Sequence, residues 1–525
     1  MRYLKNLLSK KNTPQSEPIP GAGQVQNSAA GYTWKVDDWT RLNRFLILGC
    51  EGGSYYSSER KLAVENAQAV LRCLREDGDR TVRTIVEISE AGRAPKQDPA
   101  LFALALATTE YADAATRRAA LAALPRVCRI GTHLFQFAGH VDGMRGWGRG
   151  LRSAVAAWYG RPAEEVAFQA VKYQQREGWS HRDLLRLSHP KVDSESSLQA
   201  VYRWIVKGWD EVGAEPPGDP SLRLIWAWER ARRATTQREI VGLIREHRLP
   251  REAVPSEWLQ HRDVWDALLD DMPMTALIRN LATLTRLGVV APGSDGTKRV
   301  VEQLQDETRL RRARVHPIAV LAALTTYRSG KGVRGSGEWK PVPKVVDALD
   351  SAFYAAFGNI PATGKRWLLA LDVSGSMQCG SVSGIPGLTP HVASSAMAML
   401  TARTESEHVI VGFTAASGGV GGRWGGGVSG ITPIPISPRQ RLDDVARAVG
   451  KLPMGGTDCA LPMLWATQNK VAVDVFVVYT DNETWAGKIH PAQALQEYRQ
   501  RLGIPAKLIV VAMLANPFTI ADPND

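Results

Sequence analysis

Apolar residues at helical spacing dominate the first two-thirds of the chain. The stretch ERKLAVENAQAVLRCLRED predicts an amphipathic helix, and HPIAVLAALTTYRSG begins at a proline and ends at a glycine, the usual limits of a helix. The stretch DVWDALLDDMPMTALIRNLATLTRLG predicts two helices separated near Pro273 and ended by Gly288. In DPALFALALATTEY, Asp98 is the expected cap and Pro99 the first-turn proline. Many helices with short connectors favour an α-solenoid of stacked pairs. No clean repeat period is present, so an irregular helical domain is the alternative.

The pattern changes after about residue 360. The apolar runs WLLALD, HVIVGF, VDVFVVYT and KLIVVAML alternate with the amphipathic stretches ASSAMAMLTARTE, RLDDVARAVGKL and PAQALQEYRQRLG. Such alternation predicts a doubly wound parallel sheet covered by helices on both faces. The expected fold class is therefore α + α/β: a flexible basic tail over 1–27, a helical-repeat module over 28–360, and an α/β domain over 361–525. The glycine-rich stretch 417–430 predicts a flexible loop.

Oxygen-bearing side chains follow two of the predicted strands. Asp372 ends the run WLLALD within DVSGSM, Asp481 follows VDVFVVYT, and Thr457 lies between them in GGTD. Ligands of parallel sheets bind outside the carboxyl ends of neighbouring strands, so both carboxylates are expected to face one ion. Carboxylate and hydroxyl oxygens suit a divalent cation, and Mg²⁺ best. The expected ligands are Asp372, Ser374, Ser376, Thr457 and Asp481. Their order resembles the metal-ion-dependent adhesion site of von Willebrand factor A domains, Asp-x-Ser-x-Ser with a later Thr and Asp.

Two alternatives remain for these residues. Asp372 and Asp481 also suit a role as caps of turns and helices. A hydrolytic metal site, for example one that cleaves RNA, would need a general base, and no spacing ties Glu483, His391 or His490 to the carboxylates. Binding of a partner through an open coordination position is the better expectation, and no enzymatic activity is expected.

Positive charge is concentrated in the helical part. The chain carries a net charge of +12; residues 361–525 hold 13 basic and 12 acidic side chains, whereas residues 1–360 hold 52 and 41. Such an excess suits a polyanionic partner, although it also serves simple solubility. The five scattered cysteines fit free thiols in a reducing cytoplasm, and no membrane span or secretory signal is expected.

The densest basic signal is VKYQQREGWSHRDLLRLSHPK, over 171–191. Lys172 and Arg176 are four residues apart, which predicts one helix face for both. Ser180 and Asp183 form a predicted capping box that starts the next helix. We expect basic side chains here to grip phosphates. The expected contacts are Lys172, Arg176, Arg182, Arg186 and His189, with Arg149 and Arg152 upstream. The alternative is a solvated basic face. Most of the sixteen tryptophans are expected in the core, and one or two are expected to stack bases.

Several long stretches together resemble the Ro ribonucleoprotein family, which includes the SS-A autoantigen and bacterial Ro-related orthologues. They are KYQQREGWSHRDLLRLSH, MPMTALIRNL, RVHPIAVLAALTTYRSGKGVRG, PATGKRWLLALDVSGSM, GGTDCALPMLWA, DVFVVYTDNETWAG and IPAKLIVVAML with the later FTIADP. They run from about residue 140 to the end. The 417–430 loop and the N-terminal tail depart from the family pattern, and we expect the family's usual last helix to be absent after FTIADPND.

The resemblance implies a TROVE module, a ring of HEAT-like repeats closed by contact with a von Willebrand factor A domain. It implies binding of small noncoding Y RNAs on an outer basic surface, where Lys172, Arg176 and His189 match family positions. It also implies capture of single-stranded 3′ ends of misfolded RNAs in a central hole. Tethering through Y RNA to an exoribonuclease, polynucleotide phosphorylase, would give a role in RNA quality control and decay. The alternative function is a metal-dependent protein-interaction module whose helical part is mainly structural.

Overall fold

The computed structural model describes residues 12–50, 58–332, 337–357, 362–382, 385, 388–415, 430–437 and 440–525. The chain divides into two compact units. One consists of residues 67–356, and the other combines residues 1–66 with 357–525. The predicted glycine-rich loop lies outside the described residues except for Gly430, as do the first eleven residues of the predicted tail.

Eighteen helices precede the sheet domain in the described part of the chain. They are α1 Asp38–Leu48, α2 Glu59–Glu76, α3 Gly78–Glu90, α4 Asp98–Ala107, α5 Ala114–Val127, α6 Gly131–Met144, α7 Arg149–Tyr159, α8 Ala163–Lys172, α9 His181–Ser188, α10 Ser197–Lys207, α11 Pro220–Ala231, α12 Gln237–His247, α13 Arg262–Asp270, α14 Met274–Arg286, α15 Asp295–Gln305, α16 Glu307–Arg312, α17 Pro317–Ser329 and α18 Pro343–Ala355. None of the described helices has both the length and the apolar character needed to cross a bilayer.

Local signals set the limits of these helices as the sequence predicts. Helices α13 and α14 are separated at Pro273, and α17 starts at Pro317 and ends against Gly330, whose φ of 69° is the left-handed geometry that glycine favours. One detail differs: Asp98 lies inside α4, and the cap position is Gln97, whose side chain makes no capping bond.

Hydrogen bonds join early and late parts of the helical unit. The Arg314 guanidinium donates to the Glu90 carbonyl at 2.7 Å, and the His316 ring Nε2 donates to the Arg93 carbonyl at 2.8 Å. These partners are 224 and 223 residues apart in the chain. The helical unit is therefore held together by contacts between distant helices as well as by neighbour packing.

The sheet domain contains a five-stranded sheet in the order β7-β6-β5-β8-β9. Strands β5, β6, β8 and β9 are parallel, as predicted, and β7 pairs antiparallel at one edge. The bounds are β5 Trp367–Asp372, β6 His408–Phe413, β7 Ile431–Pro433, β8 Val475–Thr480 and β9 Lys507–Ala512, with helices α19 Pro390–Thr404, α20 Leu442–Gly450, α21 Leu461–Gln468 and α22 Pro491–Leu502. A 3₁₀ helix at Gly375–Gln378 follows β5.

From residue 12 on, the N-terminal segment that the structure describes packs on the sheet domain, whereas the sequence predicts a flexible tail over 1–27. Strands β1 Val25–Gln26 and β2 Tyr32–Lys35 pair with each other, and β2 pairs with β10 Phe518–Thr519. Ile19 and Trp34 are buried against Ala492. Burial of these apolar side chains and pairing of the backbone order a segment whose local composition resembles a linker.

Candidate functional site

The predicted metal ligands lie at the carboxyl edge of the sheet. Asp372 ends β5, Asp481 follows β8, and these strands are neighbours, with Leu371 opposite Tyr479. All five predicted ligands are buried; the side chains of this set, called here the sheet-edge site, are Asp372, Ser374, Ser376, Thr457 and Asp481. The structure thus brings both carboxylates to the same edge of the sheet.

Hydrogen bonds fix Asp372. Its Oδ1 accepts from the Ser374 backbone N–H at 2.9 Å, and its Oδ2 accepts from the Thr480 hydroxyl at 2.7 Å. The hydroxyls of Ser374 and Ser376 lie 3.1 Å apart. Thr480 was missed by the sequence analysis, although its place one residue before Asp481 and inside a buried strand was a usable signal.

The two carboxylate oxygens of Asp481 differ in their hydrogen bonding. Its Oδ1 accepts from the Glu483 backbone N–H at 3.1 Å, and the nearby Ser376 hydroxyl partly offsets the rise in the pKa of the carboxyl. Its Oδ2 is buried and has no hydrogen-bond partner among the residues that the structure describes. A buried carboxylate oxygen without a partner is costly unless a cation or water satisfies it. A role in capping a turn therefore explains the hydrogen bond to Oδ1 but does not explain why Oδ2 is buried.

Burial makes both carboxylates weak acids. It raises the pKa of Asp372 to about 7, with a further contribution from the negative charge of Asp481. Burial also raises the pKa of Asp481. Two buried carboxylates at one strand edge repel each other when both are ionised, and a divalent cation would relieve that repulsion.

Thr457 reaches the same edge on a close-packed loop. Its carbonyl accepts the backbone N–H groups of Trp485 at 3.1 Å and Ala486 at 3.0 Å. A Cβ atom on Gly456 would stand 2.7 Å from the Trp485 ring, so only glycine allows this approach. The Cys459 sulfur, two residues on, lies 3.7 Å from the Thr480 hydroxyl.

The donor set fits a small hard cation. Two carboxylates and three hydroxyls offer only oxygen ligands, the type that Mg²⁺ and Mn²⁺ accept. Within the described ranges, no group of three or more His, Cys, Asp or Glu side chains is placed to hold a metal. A cation at the sheet-edge site would therefore depend on hydroxyl as well as carboxylate oxygens.

Glu483, next to the sheet-edge site, contacts the N-terminal segment. Its Oε2 accepts the backbone N–H groups of Ser28 at 2.9 Å and Ala29 at 3.3 Å. Burial, with a smaller contribution from the nearby charge of Asp481, raises the pKa of Glu483 to about 7. The side chain holds the N-terminal segment against the loop that follows Asp481, a contact that no local sequence signal indicates.

The basic residues around position 176 are arranged differently from the prediction. Helix α8 ends at Lys172, and Arg176 lies in a hairpin formed by β3 Gln175–Arg176 and β4 Trp179–Ser180. Glu177 and Gly178 have φ values of 52° and 77°, the geometry of a tight two-residue hairpin turn. Lys172 and Arg176 therefore do not share a helix face. The left-handed Glu177-Gly178 turn overrode the helical spacing.

The helix after the hairpin begins as predicted. Ser180 Oγ accepts from the Asp183 backbone N–H at 3.4 Å, and Asp183 Oδ2 accepts from the Ser180 backbone N–H at 2.9 Å. This capping box starts α9, which ends at His189 in a left-handed conformation with a φ of 47°. His189 is exposed. Helix α9 packs against α7, and the hairpin packs against α6.

Most of the basic side chains that are predicted to contact phosphate are exposed, and four of them form no ion pair among the described residues. Arg149 and Arg152 on α7 and Arg182 and Arg186 on α9 make no ion pair within the part of the chain that the structure describes. Arg176 is exposed and pairs with Glu177 at 3.3 Å. The Lys172 ammonium lies 5.3 Å from the Phe168 ring and 5.4 Å from the Tyr173 ring, and partial burial lowers its pKa. We call these six residues, together with His189, the basic face.

Exposed guanidinium groups without carboxylate partners can bind phosphate without first breaking an ion pair. Some other arginines of the helical unit are already paired with carboxylates. Arg299, for example, lies 3.3 Å from Asp295 and is also paired with Asp266 and Asp270. The unpaired guanidinium groups of the basic face are therefore available to bind phosphate, whereas an arginine in an ion-pair network such as that of Arg299 is not.

Stacked helices followed by a parallel-sheet domain with an acid and hydroxyl site at its edge define a TROVE module joined to a von Willebrand factor A domain. The TROVE domain family matches residues 25–326, and the Ro60 vWA domain family matches residues 366–525. The chain belongs to the Ro60 family.

Individual relatives agree with this assignment. The chain is 42% identical over 527 residues to the RNA-binding protein RO60 of Deinococcus radiodurans, covering 100% of this chain and 95% of the relative. It is 37% identical over 588 residues to the RNA-binding protein RO60 of Caenorhabditis elegans, covering 98% and 89%. The crystal structure of the Deinococcus radiodurans RO (RSR) protein aligns with a TM-score of 0.70 over 93% of this chain and 95% of that chain.

Proposed function

We propose that this protein is the RNA-binding scaffold of a small ribonucleoprotein. The observation that carries the proposal is the basic face, whose exposed guanidinium groups on α7 and α9 have no ion-pair partners among the described residues. Phosphate contacts give affinity without base specificity, so a folded RNA suits such a surface. Relatives named as RNA-binding proteins support the same conclusion.

The finer proposal concerns the class of RNA. The basic face would hold a Y-type noncoding RNA, and a central hole in the helical module would admit the single-stranded 3′ ends of misfolded RNAs while a duplex stays outside. A bound Y RNA would also tether an exoribonuclease such as polynucleotide phosphorylase, which places the protein in RNA quality control and decay. The protein would hold RNA without cleaving it.

Salt titration of RNA binding tests the main proposal. Lys172→Ala combined with Arg176→Ala should flatten the slope of log affinity against log salt by roughly two units, since each lost phosphate contact removes about one. The measurement is filter binding or fluorescence anisotropy with a structured RNA from 50 to roughly 300 mM salt, the range in which counterion release is visible. RNA integrity on a gel, with Mg²⁺ present, checks that no cleavage occurs.

A matched control distinguishes the loss of a specific binding site from a general loss of positive charge. Arg83→Ala with Arg311→Ala removes the same charge from exposed positions on α3 and α16. This control should leave the slope close to that of the unmodified protein. If both double variants lower the slope equally, binding is diffuse and the basic face is not the site.

A second candidate function is metal-dependent binding of a protein partner through the sheet domain. The uncommitted Asp481 Oδ2 favours it. We propose that Asp372, Ser374, Ser376, Thr457 and Asp481 hold a divalent cation, Mg²⁺ first. When bound, the cation would offer an open coordination position to an acidic group of the partner protein.

Calorimetric titration with Mg²⁺ and Mn²⁺ tests the cation. Asp481→Asn should abolish the binding heat, and the thermal midpoint of the unmodified protein should rise with metal concentration because metal binds the folded state. Asp444→Asn, an exposed carboxylate on α20 of the same domain, is the control and should bind as before. Equal heats in all three proteins would place any metal elsewhere.

A further inference from the structure

Two loops of the sheet domain carry expected ligands of the sheet-edge site, and both contact the N-terminal segment. The first ligand loop, residues 453–460, lies between α20 and α21 and carries Thr457; the second, residues 481–487, follows β8 and carries Asp481. A small cation accepts its ligands only within a narrow range of distances, about 2.0–2.1 Å for Mg²⁺. The spacing of the two loops therefore decides how well a cation fits.

Gln15 bridges the two loops with one fully buried side chain. Its amide nitrogen donates to Asp458 Oδ1 of the first ligand loop at 2.7 Å, and its amide oxygen accepts from the Thr484 hydroxyl of the second. The backbone N–H of Gln15 donates to the Gly487 carbonyl at 2.8 Å. A Cβ atom on Gly487 would collide with the Gln15 amide nitrogen, so the second loop has room for this side chain because it carries a glycine there.

The bridge reaches an expected ligand through one further contact. The Thr484 hydroxyl, which donates to Gln15, also lies 3.3 Å from the Thr457 carbonyl oxygen. The same hydroxyl accepts the Cys459 backbone N–H at 3.1 Å. Gln15 and its partners therefore hold the backbone at Thr457 and just after it, although Gln15 is 443 residues from Asp458 in the chain.

The N-terminal segment also holds the residue that orients Asp481. The backbone N–H groups of Ser28 and Ala29 donate to Glu483 Oε2, and the backbone N–H of Glu483 donates to Asp481 Oδ1 at 3.1 Å. The segment thus supports both ligand loops, while none of the five expected ligands comes from it. Its place is that of an outer layer behind the ligands.

We propose that Gln15 is a positioning residue of the sheet-edge site, which holds the two ligand loops at the spacing that a divalent cation requires. The inference rests on the proposed cation binding and adds its regulation, since the affinity of the site then depends on docking of a distant segment. Groups that orient metal ligands typically change metal affinity about 10–100-fold. Such coupling is reciprocal, so the docked segment is more stable when a cation is bound.

Calorimetric titration with Mn²⁺ tests the role of Gln15. Gln15→Ala should bind Mn²⁺ about tenfold more weakly than the unmodified protein, the lower end of the usual range, because Gln15 acts through its partners and not on a ligand directly. Lower stability alone leaves this dissociation constant unchanged as long as nearly all of the protein is folded. Thermal unfolding without metal checks that the variant is folded at the temperature of the titration.

Gln24→Ala is the matched control from the same segment. The Gln24 side chain is partly buried, lies 3.3 Å from the His490 ring and accepts the Ile19 backbone N–H at 2.8 Å. His490 precedes α22 and lies outside both ligand loops. This variant should bind Mn²⁺ as the unmodified protein does. Equal weakening in Gln15→Ala and Gln24→Ala would show a general loosening of the domain and would overturn the positioning role.

Hydrogen exchange gives a second readout that needs no variant. Mg²⁺ should slow the exchange of backbone amides in residues 12–32, including that of Tyr32, which donates to the Gln15 carbonyl at 2.8 Å. Unchanged exchange in protein that binds the cation overturns the coupling. If the unmodified protein binds neither Mg²⁺ nor Mn²⁺, the proposed cation binding itself fails. If it binds Mn²⁺ and Gln15→Ala binds it equally well, only the positioning role fails.

Discussion

Gln15 shows how one side chain fixes a segment to a distant part of the chain. It is fully buried, and its amide nitrogen donates to Asp458 Oδ1 at 2.7 Å and to the Ile489 carbonyl at 2.8 Å. Its amide oxygen accepts from the Thr484 hydroxyl. Every polar atom of the side chain is therefore satisfied inside the sheet domain. Removal of the side chain takes one hydrogen bond from each of three buried partners, Asp458, Ile489 and Thr484.

We predict that Gln15→Ala lowers the free energy of unfolding of the sheet domain by about 1–3 kcal/mol, the cost of buried polar groups left unpaired. Gln26→Ala is the matched control, because the Gln26 amide makes one exposed bond to the Ala30 carbonyl. Urea unfolding monitors both variants. Equal stability of the two would mean that the N-terminal segment contributes little to the folded state.

At the scale of elements, an ion pair joins the beginnings of two neighbouring strands. Arg366 precedes β5, and Asp474 precedes β8. The Arg366 guanidinium donates to Asp474 Oδ1 at 2.6 Å and to Oδ2 at 3.0 Å, and its backbone N–H donates to Oδ2 at 2.9 Å. These hydrogen bonds lower the pKa of Asp474 to about 2. The pair aligns the strands at the end opposite the sheet-edge site.

The sign of the pH effect follows from that lowered pKa. The folded state holds Asp474 ionised to a lower pH than the unfolded state, whose aspartate pKa is about 3.9. The stabilisation is therefore present above about pH 4 and is lost as the pH falls towards 2.

We predict that Asp474→Asn destabilises the protein at pH 7 and that the difference from the unmodified protein shrinks below about pH 4, where the unfolded carboxylate becomes protonated. Guanidinium unfolding midpoints of both proteins at several pH values measure this difference in stability. Asp444→Asn again serves as the exposed control. A difference that stays constant down to pH 2.5, roughly where the folded carboxylate titrates, would show that charge is not the cause.

The elements with strong periodic patterns were predictable. The four parallel strands and the helices α13, α14 and α17 follow from apolar runs and from proline and glycine positions. Helix α21 was missed because LPMLWATQ is apolar on all sides and has no amphipathic stripe, and β7 because three residues are too few to show a period.

The candidate sites likewise include residues that could be predicted from the sequence and residues that could not. The carboxylates of the sheet-edge site were predictable because each follows a buried strand, and their meeting depends only on strand order. The hairpin at Arg176 was not, since a turn at Glu177-Gly178 competes with helical spacing that is equally good locally. The N-terminal segment was not predictable either, because its hydrogen-bond partners lie between about 440 and 480 residues away.

At the scale of the whole molecule, the two proposed binding activities occupy different compact units. The basic face lies within residues 67–356, and the sheet-edge site lies in the unit that contains 357–525. The charge excess lies within residues 1–360, and residues 361–525 have a net charge near zero. RNA and a metal-dependent partner would therefore be bound by separate chemistry on one chain.

We predict that variants of one site leave the other unchanged. Asp481→Asn should bind structured RNA with unaltered affinity and salt slope, and Lys172→Ala with Arg176→Ala should bind Mn²⁺ as the unmodified protein does. Anisotropy and calorimetry on the same four preparations, with Asp444→Asn included, provide the measurement. A shift of RNA affinity in Asp481→Asn alone would reveal coupling between the units.

The pairing of β2 with β10 has a consequence for biosynthesis. Residues near position 34 emerge from the ribosome long before their partner at position 519. At roughly 5–20 residues per second, the early segment waits on the order of half a minute or more, while the intervening helices have time to form as they appear. The nascent chain thus carries β2 paired with β1 but without its β10 partner, and this sheet is completed only after residue 519 has emerged.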